Sequence, residues 1–357
     1  MNLIVLTKQF GNYTGATVST IEILKRISKK FDTVEVITMK AMNIDIPNVR
    51  IETVSSYFDL IKELKLRRTK KKVYGYSDDH LGFLFSLAGI SYVHTYHGNW
   101  PDARWMNSKM FFKSLFFIPM YKLTIKRAEH VVSVSNYMNN KFVKKNTKKS
   151  TVIYNGIKQV KKSEPPSKDT QDIKFLMVGN VDSRKYAAAI DLFSLLSEKG
   201  FNNKIDIYWK IVESKIAEKL NEFDFVELKG MRNNINYTKY DALICTSVSE
   251  NLPVSIVESI ISGVPVISFN VGGISEVIIG NDTGRLIPQG DMVHFAKAVQ
   301  SFKKHIIGKE IRNNINDKFN WDNSAQQYFE LLNGERNSKW VTYEKIYYAR
   351  FSGYIPF

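Results

Sequence analysis

The sequence predicts an α/β protein made of two Rossmann-like, doubly wound domains that face each other across a cleft. Short apolar runs typical of buried parallel strands alternate with runs of helical periodicity along nearly the whole chain. The alternation forms two series, separated by a polar segment without periodicity. A chain of 357 residues, 44% of them hydrophobic, is long enough for two domains that each bury a core.

The first series begins with a strand at residues 3–7 and a helix at residues 16–30, where Ile21, Leu24 and Ile27 share one face. Strands that alternate with helices predict parallel pairing in a doubly wound sheet. Further strands are expected at residues 33–38, 73–76, 91–96, 131–134 and 151–153.

The second series predicts a similar unit after the polar segment. We expect domains at residues 1–156 and 173–320, a linker at 157–172, and a C-terminal helix and tail at 321–357. The predicted strands of the second domain are residues 173–178, 205–209, 225–228, 241–245, 264–269 and 284–287.

The chain is strongly basic, with 51 Lys and Arg against 35 Asp and Glu and a formal net charge of +16. Such a balance suits nucleic acid, a membrane surface or an acidic ligand. Basic residues cluster at 62–72, including Lys70, Lys71 and Lys72, and again at 141–149. Neither cluster belongs to a recognisable nucleic-acid module, so we expect no nucleic-acid partner.

Between these clusters, residues 105–121 interleave Phe111, Phe112 and Phe116 with Lys109 and Lys113. One interpretation is the interface of an anionic membrane, where apolar insertion and lysine attraction add. The other is a helix packed on the first sheet with a solvated basic rim. For the protein as a whole we expect an anionic membrane surface as a partner.

The expected location is cytoplasmic, peripheral on the inner face of the membrane. A single cysteine, Cys245, provides no disulfide framework. The apolar run at residues 3–6 is too short for a signal peptide, and no stretch approaches 18 apolar residues.

The most informative segment, residues 247–276, predicts a loop, a helix and a second strand. Pro253 suits the first helical position, and Glu250 precedes it in the loop at the carboxyl end of a strand. Glu258 lies on the helix away from its apolar stripe, and Gly272-Gly273 forms a later turn. Helix N-termini at such loops attract phosphates, so a diphosphate is the ligand expected there. The two carboxylates would then accept hydrogen bonds from the hydroxyls of a sugar and a ribose that are attached to this diphosphate.

Glu250 and Glu258, with Ser247 and Pro253 around the first of them, resemble the paired-glutamate motif of the family-four retaining glycosyltransferases, which have the GT-B fold. The resemblance extends over nearly the whole chain, because three further segments match that family in order. They are residues 128–135, residues 153–157, and residues 271–277 followed by Thr283-Gly284.

The resemblance implies transfer of a hexose or N-acetylhexosamine, with retention of configuration, from a nucleotide diphosphate sugar, expected to be UDP-linked. The acceptor would be a hydroxyl of a glycan, a glycolipid or a lipid-linked molecule in bacterial surface polysaccharide or glycoconjugate synthesis. It also implies that the helix at residues 321–332 crosses back to the first domain.

On the donor side, Glu250 and Lys185 are the expected catalytic residues, and the family holds the diphosphate with an arginine directly after a glycine. This chain keeps Gly179 but has Asn180 in the arginine place, so Arg184 is the candidate to supply the charge. Besides these, the donor-binding residues are expected to be Gly15, Asn251, Leu252, Pro253, Val254, Glu258, Gly272 and Gly273.

On the acceptor side, His97 follows a strand and looks like the family's histidine that contacts the transferred sugar, a catalytic role. His94 and His130 are interpreted as structural. The loop after the first strand and the residues beyond His97 would bind the acceptor. These acceptor-binding residues are Asn12, Tyr13, Thr14 and Trp100.

The sequence offers neither a placed covalent nucleophile nor an Asp-x-Asp pair, so we expect metal independence and no cofactor besides the nucleotide-sugar co-substrate. Asp78 and Asp79 are adjacent and are expected to cap the helix that follows. Two alternatives stay open. The chain could be a GT-B nucleotide-sugar epimerase, or a non-catalytic partner subunit, for which Asn180 is the hint.

Overall fold

The computed structural model describes residues 1–11, 14–69, 73–158, 172–232 and 234–334. They form two α/β domains, each built on one parallel sheet, which confirms the expected fold class. Lys70, Lys71 and Lys72, most of the expected linker, and the tail after residue 334 lie outside the described residues.

The first domain contains a seven-stranded sheet in the spatial order β3-β2-β1-β4-β5-β6-β7. Its strands are β1 (Asn2–Phe10), β2 (Thr33–Ala41), β3 (Val49–Thr53), β4 (Val73–Ser77), β5 (Tyr92–Tyr96), β6 (His130–Ser133) and β7 (Ser150–Val152). Its helices are α1 (Gly15–Ile27), α2 (Tyr57–Arg68), α3 (Phe83–Ala88), α4 (Trp100–Ala103), α5 (Ser108–Arg127) and α6 (Asn136–Met138).

The second domain contains a six-stranded sheet in the order β10-β9-β8-β11-β12-β13. Its strands are β8 (Lys174–Val178), β9 (Lys204–Tyr208), β10 (Val226–Gly230), β11 (Ala242–Cys245), β12 (Val266–Phe269) and β13 (Gly284–Ile287). The helices that follow are α7 (Ser183–Glu198), α8 (Ser214–Leu220), α9 (Val254–Ile261), α10 (Gly280–Thr283), α11 (Met292–Gln300), α12 (Lys309–Lys318) and α13 (Trp321–Leu332).

Both sheets reverse their winding direction beside their first strand. β1 lies between β2 and β4, and β8 lies between β9 and β11. Ligands of such folds bind outside the carboxyl ends of the strands at this reversal point. The loops after β1 and β8 are therefore where the topology itself places a site.

Alternate side chains of β1 face opposite layers of helices. Leu3 and Val5 pack with α1 and α13, whereas Ile4 and Leu6 pack with α2, α3 and α5. Both layers cover the sheet, which explains why its inner strands read as continuous apolar runs.

The C-terminal helix α13 follows the second domain but packs on α1 of the first. Trp321 and Tyr328 are buried in the first-domain core, and the Tyr328 ring meets Tyr76 edge to face at 5.9 Å between centroids. Arg26 donates from Nε to Oδ1 of Asp322 at 2.6 Å. The chain thus crosses between the domains a second time.

The sequence did not predict strand β3. Val49 and Ile51 are only half-buried, Arg50 lies between them, and Glu52 follows Ile51. Within the part of the chain that the structure describes, β3 pairs with β2 alone. It is therefore an edge strand and lacks the apolar run that identifies an inner strand. Among the described residues, none of the helices combines the length and the hydrophobicity required to cross a bilayer.

Candidate active site

The strand–helix–strand unit expected around Glu250 is formed by β11, α9 and β12. Pro253 is the N-cap of α9 rather than its first residue, one position earlier than expected. Ile256, Val257 and Ile260 turn inward, and Gly263 follows the helix at φ +88°. The loop between β11 and α9 therefore lies at the carboxyl edge of the second sheet.

Glu250 is buried in that loop between two cations. Its Oε1 lies 2.9 Å from Nζ of Lys185 and 3.2 Å from Nη1 of Arg184. Burial disfavours the carboxylate, but the two cations outweigh it and hold the pKa of Glu250 below its ordinary value. Glu250 is accordingly ionised at neutral pH.

The two cations come from the first turn of α7. Gly179, at φ +150°, precedes them, and a Cβ there would overlap the Lys185 side chain. Asn180 is half-buried directly after Gly179. Nη1 of Arg184 also donates to the Ser249 carbonyl at 3.1 Å. Arg184 thus brings positive charge from α7 to the Glu250 loop. It lies four residues after Asn180, the position at which the family resemblance predicts an arginine.

Glu258 has a different environment from Glu250. The hydroxyl of Tyr237 donates to its Oε2 at 2.6 Å. Burial raises the pKa of Glu258, and the Tyr237 hydrogen bond offsets only part of that rise. The two glutamates of the motif therefore differ in environment. Glu250 contacts two cations directly, whereas Glu258 accepts a hydrogen bond from a phenol and is influenced by the charge of Lys158.

The Gly272-Gly273 turn packs against the backbone of the Glu250 loop. A Cβ on Gly272, which has φ +61°, would overlap the carbonyl oxygen of Glu250. The N–H of Gly273 donates to the carbonyl of Asn251 at 2.6 Å. The N–H of Gly273 is therefore used to hold the loop, and the donor-binding role expected for the two glycines stays a prediction.

The loop around Glu250 also contacts the first domain. Nδ2 of Asn251 donates to the carbonyls of His97 and Gly98 at 3.2 and 3.4 Å, and Oδ1 of Asn251 accepts from the Ser135 hydroxyl. Nδ2 of Asn99 donates to the Ser249 hydroxyl at 2.8 Å. Glu250 lies between two residues that bridge the domains, so it borders the cleft.

Glu276 makes a further connection across the cleft, one that sequence reasoning missed. Its Oε2 accepts the N–H of Asn136 at 2.9 Å and the Tyr154 hydroxyl at 2.6 Å, and its Oε1 accepts the N–H of Tyr137 at 2.8 Å. A second-domain carboxylate thus caps the first-domain helix α6. The sequence signal was an acidic residue in a motif that otherwise contains apolar residues, two glycines and Ser275.

The sequence matches two family models that together cover most of the chain. Residues 13–159 match the family described as Glycosyltransferase Family 4, and residues 158–318 match the one described as Glycosyl transferases group 1. The chain belongs to the family 4 glycosyltransferases.

Relatives of this family 4 chain include CapJ of Staphylococcus aureus, 27% identical over 69% of this chain and 64% of CapJ. The O-antigen chain mannosyltransferase RfbU of Salmonella typhimurium is 25% identical over 60% of this chain and 63% of RfbU. The matched parts thus span less than two thirds of each relative's length.

Among solved structures, HepE of Anabaena in complex with UDP-glucose superposes with a TM-score of 0.72 at 17% identity, covering 94% of this chain and 100% of HepE. This likeness supports the GT-B fold of the family 4 chain.

On the first-domain side of this family 4 chain, His97 follows β5 at the cleft. Its Nε2 is buried and has no hydrogen-bond partner among the described residues. Burial lowers the pKa of His97 to about 4, from an ordinary 6.5. His97 is therefore neutral at pH 7. The Trp100 ring, at the start of α4, stacks on Phe117 with 4.8 Å between centroids.

The structure assigns Thr14 to helix capping. Its Oγ1 accepts the N–H of Thr17 at 3.3 Å, and the Thr14 N–H donates to the Thr17 hydroxyl at 3.0 Å. Both the hydroxyl and the N–H of Thr14 are therefore engaged in capping α1, and the acceptor-binding role expected for Thr14 stays a prediction. Gly15 is exposed at the start of α1, and Asn12 and Tyr13 lie outside the described residues.

The remaining donor-loop residues differ in exposure. Pro253 is buried, Leu252 is half-buried against the second-domain core, and Val254 is exposed. The described residues contain no group of three or more His, Cys, Asp or Glu side chains able to hold a metal ion.

The two adjacent aspartates have different roles. Oδ1 of Asp79 accepts the Leu81 N–H at 2.8 Å and caps the short turn that follows, as expected. Asp78 does not cap this turn; it is buried and accepts from the Thr20 hydroxyl at 2.6 Å. Burial, together with the neighbouring Asp79, raises the pKa of Asp78 to about 7.

Proposed function

We propose that the chain is a metal-independent retaining glycosyltransferase that transfers a hexose or N-acetylhexosamine from a UDP-linked sugar to a hydroxyl of a glycan, glycolipid or lipid-linked acceptor. It would act in surface polysaccharide or glycoconjugate synthesis, in the cytoplasm at the inner face of the membrane. The observation that carries the proposal is the ionised Glu250 between Lys185 and Arg184 at the edge of the cleft.

A carboxylate between two cations suits a ligand that carries both hydroxyls and negative charge. Lys185 and Arg184 would turn to the diphosphate and stabilise the charge that grows on it as the sugar leaves. Glu250 would then accept hydrogen bonds from the sugar hydroxyls and fix the sugar's orientation. His97 is neutral, and its Nε2 has no partner in the described part of the chain, so it would hydrogen-bond the transferred sugar from the other domain.

Glu258 would hold the ribose of the nucleotide. Its carboxylate already accepts one hydroxyl donor, from Tyr237, and a ribose diol is a pair of such donors. The UDP preference draws support from HepE, which was solved with UDP-glucose, and the sugar-transfer chemistry from the mannosyltransferase RfbU.

The test is thermal unfolding of the full chain with UDP-glucose, UDP-galactose, UDP-N-acetylglucosamine and GDP-mannose. A ligand that binds only the folded state at 100 times its Kd stabilises by about 2.7 kcal/mol, so a UDP-sugar should raise the Tm clearly. Glu258→Gln should reduce that rise. Lack of stabilisation by every nucleotide sugar would instead favour a non-catalytic partner subunit.

Product analysis with the stabilising donor follows, with and without acceptor and with and without EDTA. We expect transfer with retained anomeric configuration at an EDTA-insensitive rate. An epimerised donor formed without acceptor would identify an epimerase, and an EDTA-sensitive rate would refute metal independence.

A further inference from the structure

The outer face of α5 exposes large apolar side chains. Phe112 is 69% exposed, and Leu115 and Phe116 are each 60% exposed. Pro119 and Leu123 continue the row and are exposed too. These five positions recur at intervals of three and four residues, so they form one stripe, here called the apolar ridge.

The packing of α5 on the first domain does not explain the apolar ridge. The face of α5 that is buried includes the hydroxyl residues Ser114 and Thr124 beside Tyr121 and Ile125. Thr124 donates to the His80 carbonyl at 2.9 Å. A surface helix normally turns its apolar side chains to the core and its polar ones outward, and α5 partly inverts that pattern.

The charge of α5 has a single sign. The helix contains five basic residues and no acidic residue, and all five basic side chains are exposed beside the apolar ridge. They are Lys109, Lys113, Lys122, Lys126 and Arg127. An apolar stripe bordered by cations is the composition that binds the interface of an anionic bilayer.

Neighbouring helices of the same layer extend this surface. α2, α3 and α5 all pack on the sheet face that bears Ile4 and Leu6, so their outer sides point the same way. Phe58 of α2 is 86% exposed, and Leu87 of α3 is exposed as well. Phe58 lines a shallow open hollow on α2 together with Lys62 and Lys65.

The apolar ridge is continuous with the cleft. α4 begins four residues after β5 ends, and its Trp100 stacks on Phe117 of α5. Phe117 in turn meets Phe116 of the ridge edge to face at 5.3 Å between centroids. An amphiphile lying on the ridge could therefore extend its polar head toward Trp100 and His97.

We propose that the α2–α3–α5 face binds the surface of an anionic lipid bilayer, with the apolar ridge inserted at the interface, and that it orients the cleft toward a lipid-linked acceptor. The orientation of the acceptor rests on the proposed function, whereas the binding of the face to lipid does not. The positive charge of this face favours an anionic bilayer over two other partners, namely the C-terminal residues 335–357 and a second copy of the chain. Residues 335–357 contain four basic and two acidic side chains, and a second copy would oppose lysines to lysines.

The experiment is co-sedimentation of the full chain with vesicles of phosphatidylglycerol and phosphatidylcholine, compared with vesicles of phosphatidylcholine alone. Wild type should prefer the anionic vesicles, and binding should fall steeply from low to physiological salt. Phe112→Ser/Leu115→Ser/Phe116→Ser should weaken it about tenfold or more. The matched control is Val293→Ser, an exposed apolar residue on α11 of the second domain, which should bind like wild type.

Lys109→Gln/Lys113→Gln tests the charge. At about 1 kcal/mol per lysine near an anionic surface, two neutralised lysines should weaken binding about 30-fold. Lys215→Gln/Lys219→Gln, on exposed positions of α8, changes the net charge equally and should leave binding within about twofold. Equal losses in both lysine pairs, or a wild type without anionic preference, would overturn the proposal.

Two further outcomes would assign the face to another occupant. Vesicle binding only after truncation at Gly334 would identify residues 335–357 as its cover, and a dimer dissolved by the ridge variant would identify a second copy. Nucleotide-sugar binding, measured without lipid, separates the two proposals. If wild type binds donor but not vesicles, the membrane inference and the proposed membrane location fail, while the proposed sugar transfer stands; if it binds vesicles but no donor, only the proposed sugar transfer fails.

Discussion

The two sides of the cleft hold their polar groups in opposite ways. On the second-domain side, Glu250 is ionised between Lys185 and Arg184. On the first-domain side, burial keeps His97 neutral, and Asn99 meets the other domain through an uncharged amide. The second-domain side, here called the charged side, therefore presents ionised groups to the cleft, and the first-domain side, here called the neutral side, presents uncharged ones.

The largest expected effect tests that division directly. Glu250→Gln should lower kcat by about 100- to 1000-fold, the usual cost of one transition-state contact. The donor KM should stay level or fall, because Lys185 and Arg184 are then free for the diphosphate. Steady-state kinetics with the donor identified by thermal shift would measure both.

Asn99→Ala is the control from the neutral side. It removes the hydrogen bond to Ser249 but no charge, so its kcat should fall less than tenfold. If both variants lose activity equally, the contrast between the two sides has no catalytic meaning.

The second prediction concerns how rigidly the charged side is built. Gly272→Ala should reduce the free energy of unfolding by about 3 kcal/mol or more, because the new Cβ meets both a positive φ and the Glu250 carbonyl. Activity should fall with it as the Glu250 loop shifts. Chemical denaturation and donor turnover of the purified variant would show both losses.

Gly290→Ala isolates the cost of φ alone. Gly290 has φ +86° but open space around its Cβ position, so about 1–2 kcal/mol is expected. Equal destabilisation of the two variants would mean that the turn does not support the Glu250 loop.

The charged side was largely predictable from sequence because its parts are close in the chain. Pro253, Glu250 and Gly263 belong to one strand–helix–strand unit, and local rules place each of them. The position of Lys185 followed from strand β8 and the helix after it. What local rules could not show was that the Gly273 N–H is used by Asn251, since that depends on the packing of two loops.

The contacts between the domains and the first domain itself were less predictable, because several of their features join segments that are distant in sequence. Glu276 meets Asn136 across 140 positions of sequence, and no periodicity or turn signal encodes such a pair. The capping box of Thr14 and Thr17 was also missed, although the two residues have the spacing of that motif. Strand β3 was missed because edge strands carry charge and lack the apolar run.

The third prediction addresses the contact that joins the two sides. Glu276→Gln keeps the size of the side chain but replaces one acceptor oxygen by a donor that faces N–H groups. A lost cap costs about 1 kcal/mol, so kcat/KM should fall about five- to tenfold if that cap helps to hold the domains together. Hydrogen exchange should accelerate at the Asn136 and Tyr137 amides.

Glu227→Gln is the matched control, because Glu227 is an exposed second-domain carboxylate paired only on the surface with Lys229. Its kinetics should equal those of wild type. Unchanged exchange at Asn136 and Tyr137 in Glu276→Gln would contradict the capping role.

The smallest expected effect concerns the neutrality of His97. Its pKa is lowered to about 4 in the folded state, from an ordinary 6.5. Between these values the unfolded chain binds a proton that the folded chain does not, so His97 contributes stability above pH 6.5 that is lost as the pH falls toward 4. His97→Gln should remove that contribution and flatten the fall by roughly 1 kcal/mol between pH 7 and 5.5.

Denaturant titrations of wild type and His97→Gln at pH 7, 5.5 and 4.5 would measure the difference. Carboxylates also contribute to the pH dependence of stability; the lowered pKa of Glu250, for example, makes stability fall as the pH decreases. Their contribution is the same in the variant and in wild type, so the difference between the two proteins isolates that of His97. A donor-bound series sharpens the comparison further. Because a pKa of about 4 leaves His97 mostly neutral through this range, donor affinity should follow the same pH profile in wild type and His97→Gln; a wild-type affinity that weakens more on acidification would show that His97 titrates well above pH 4.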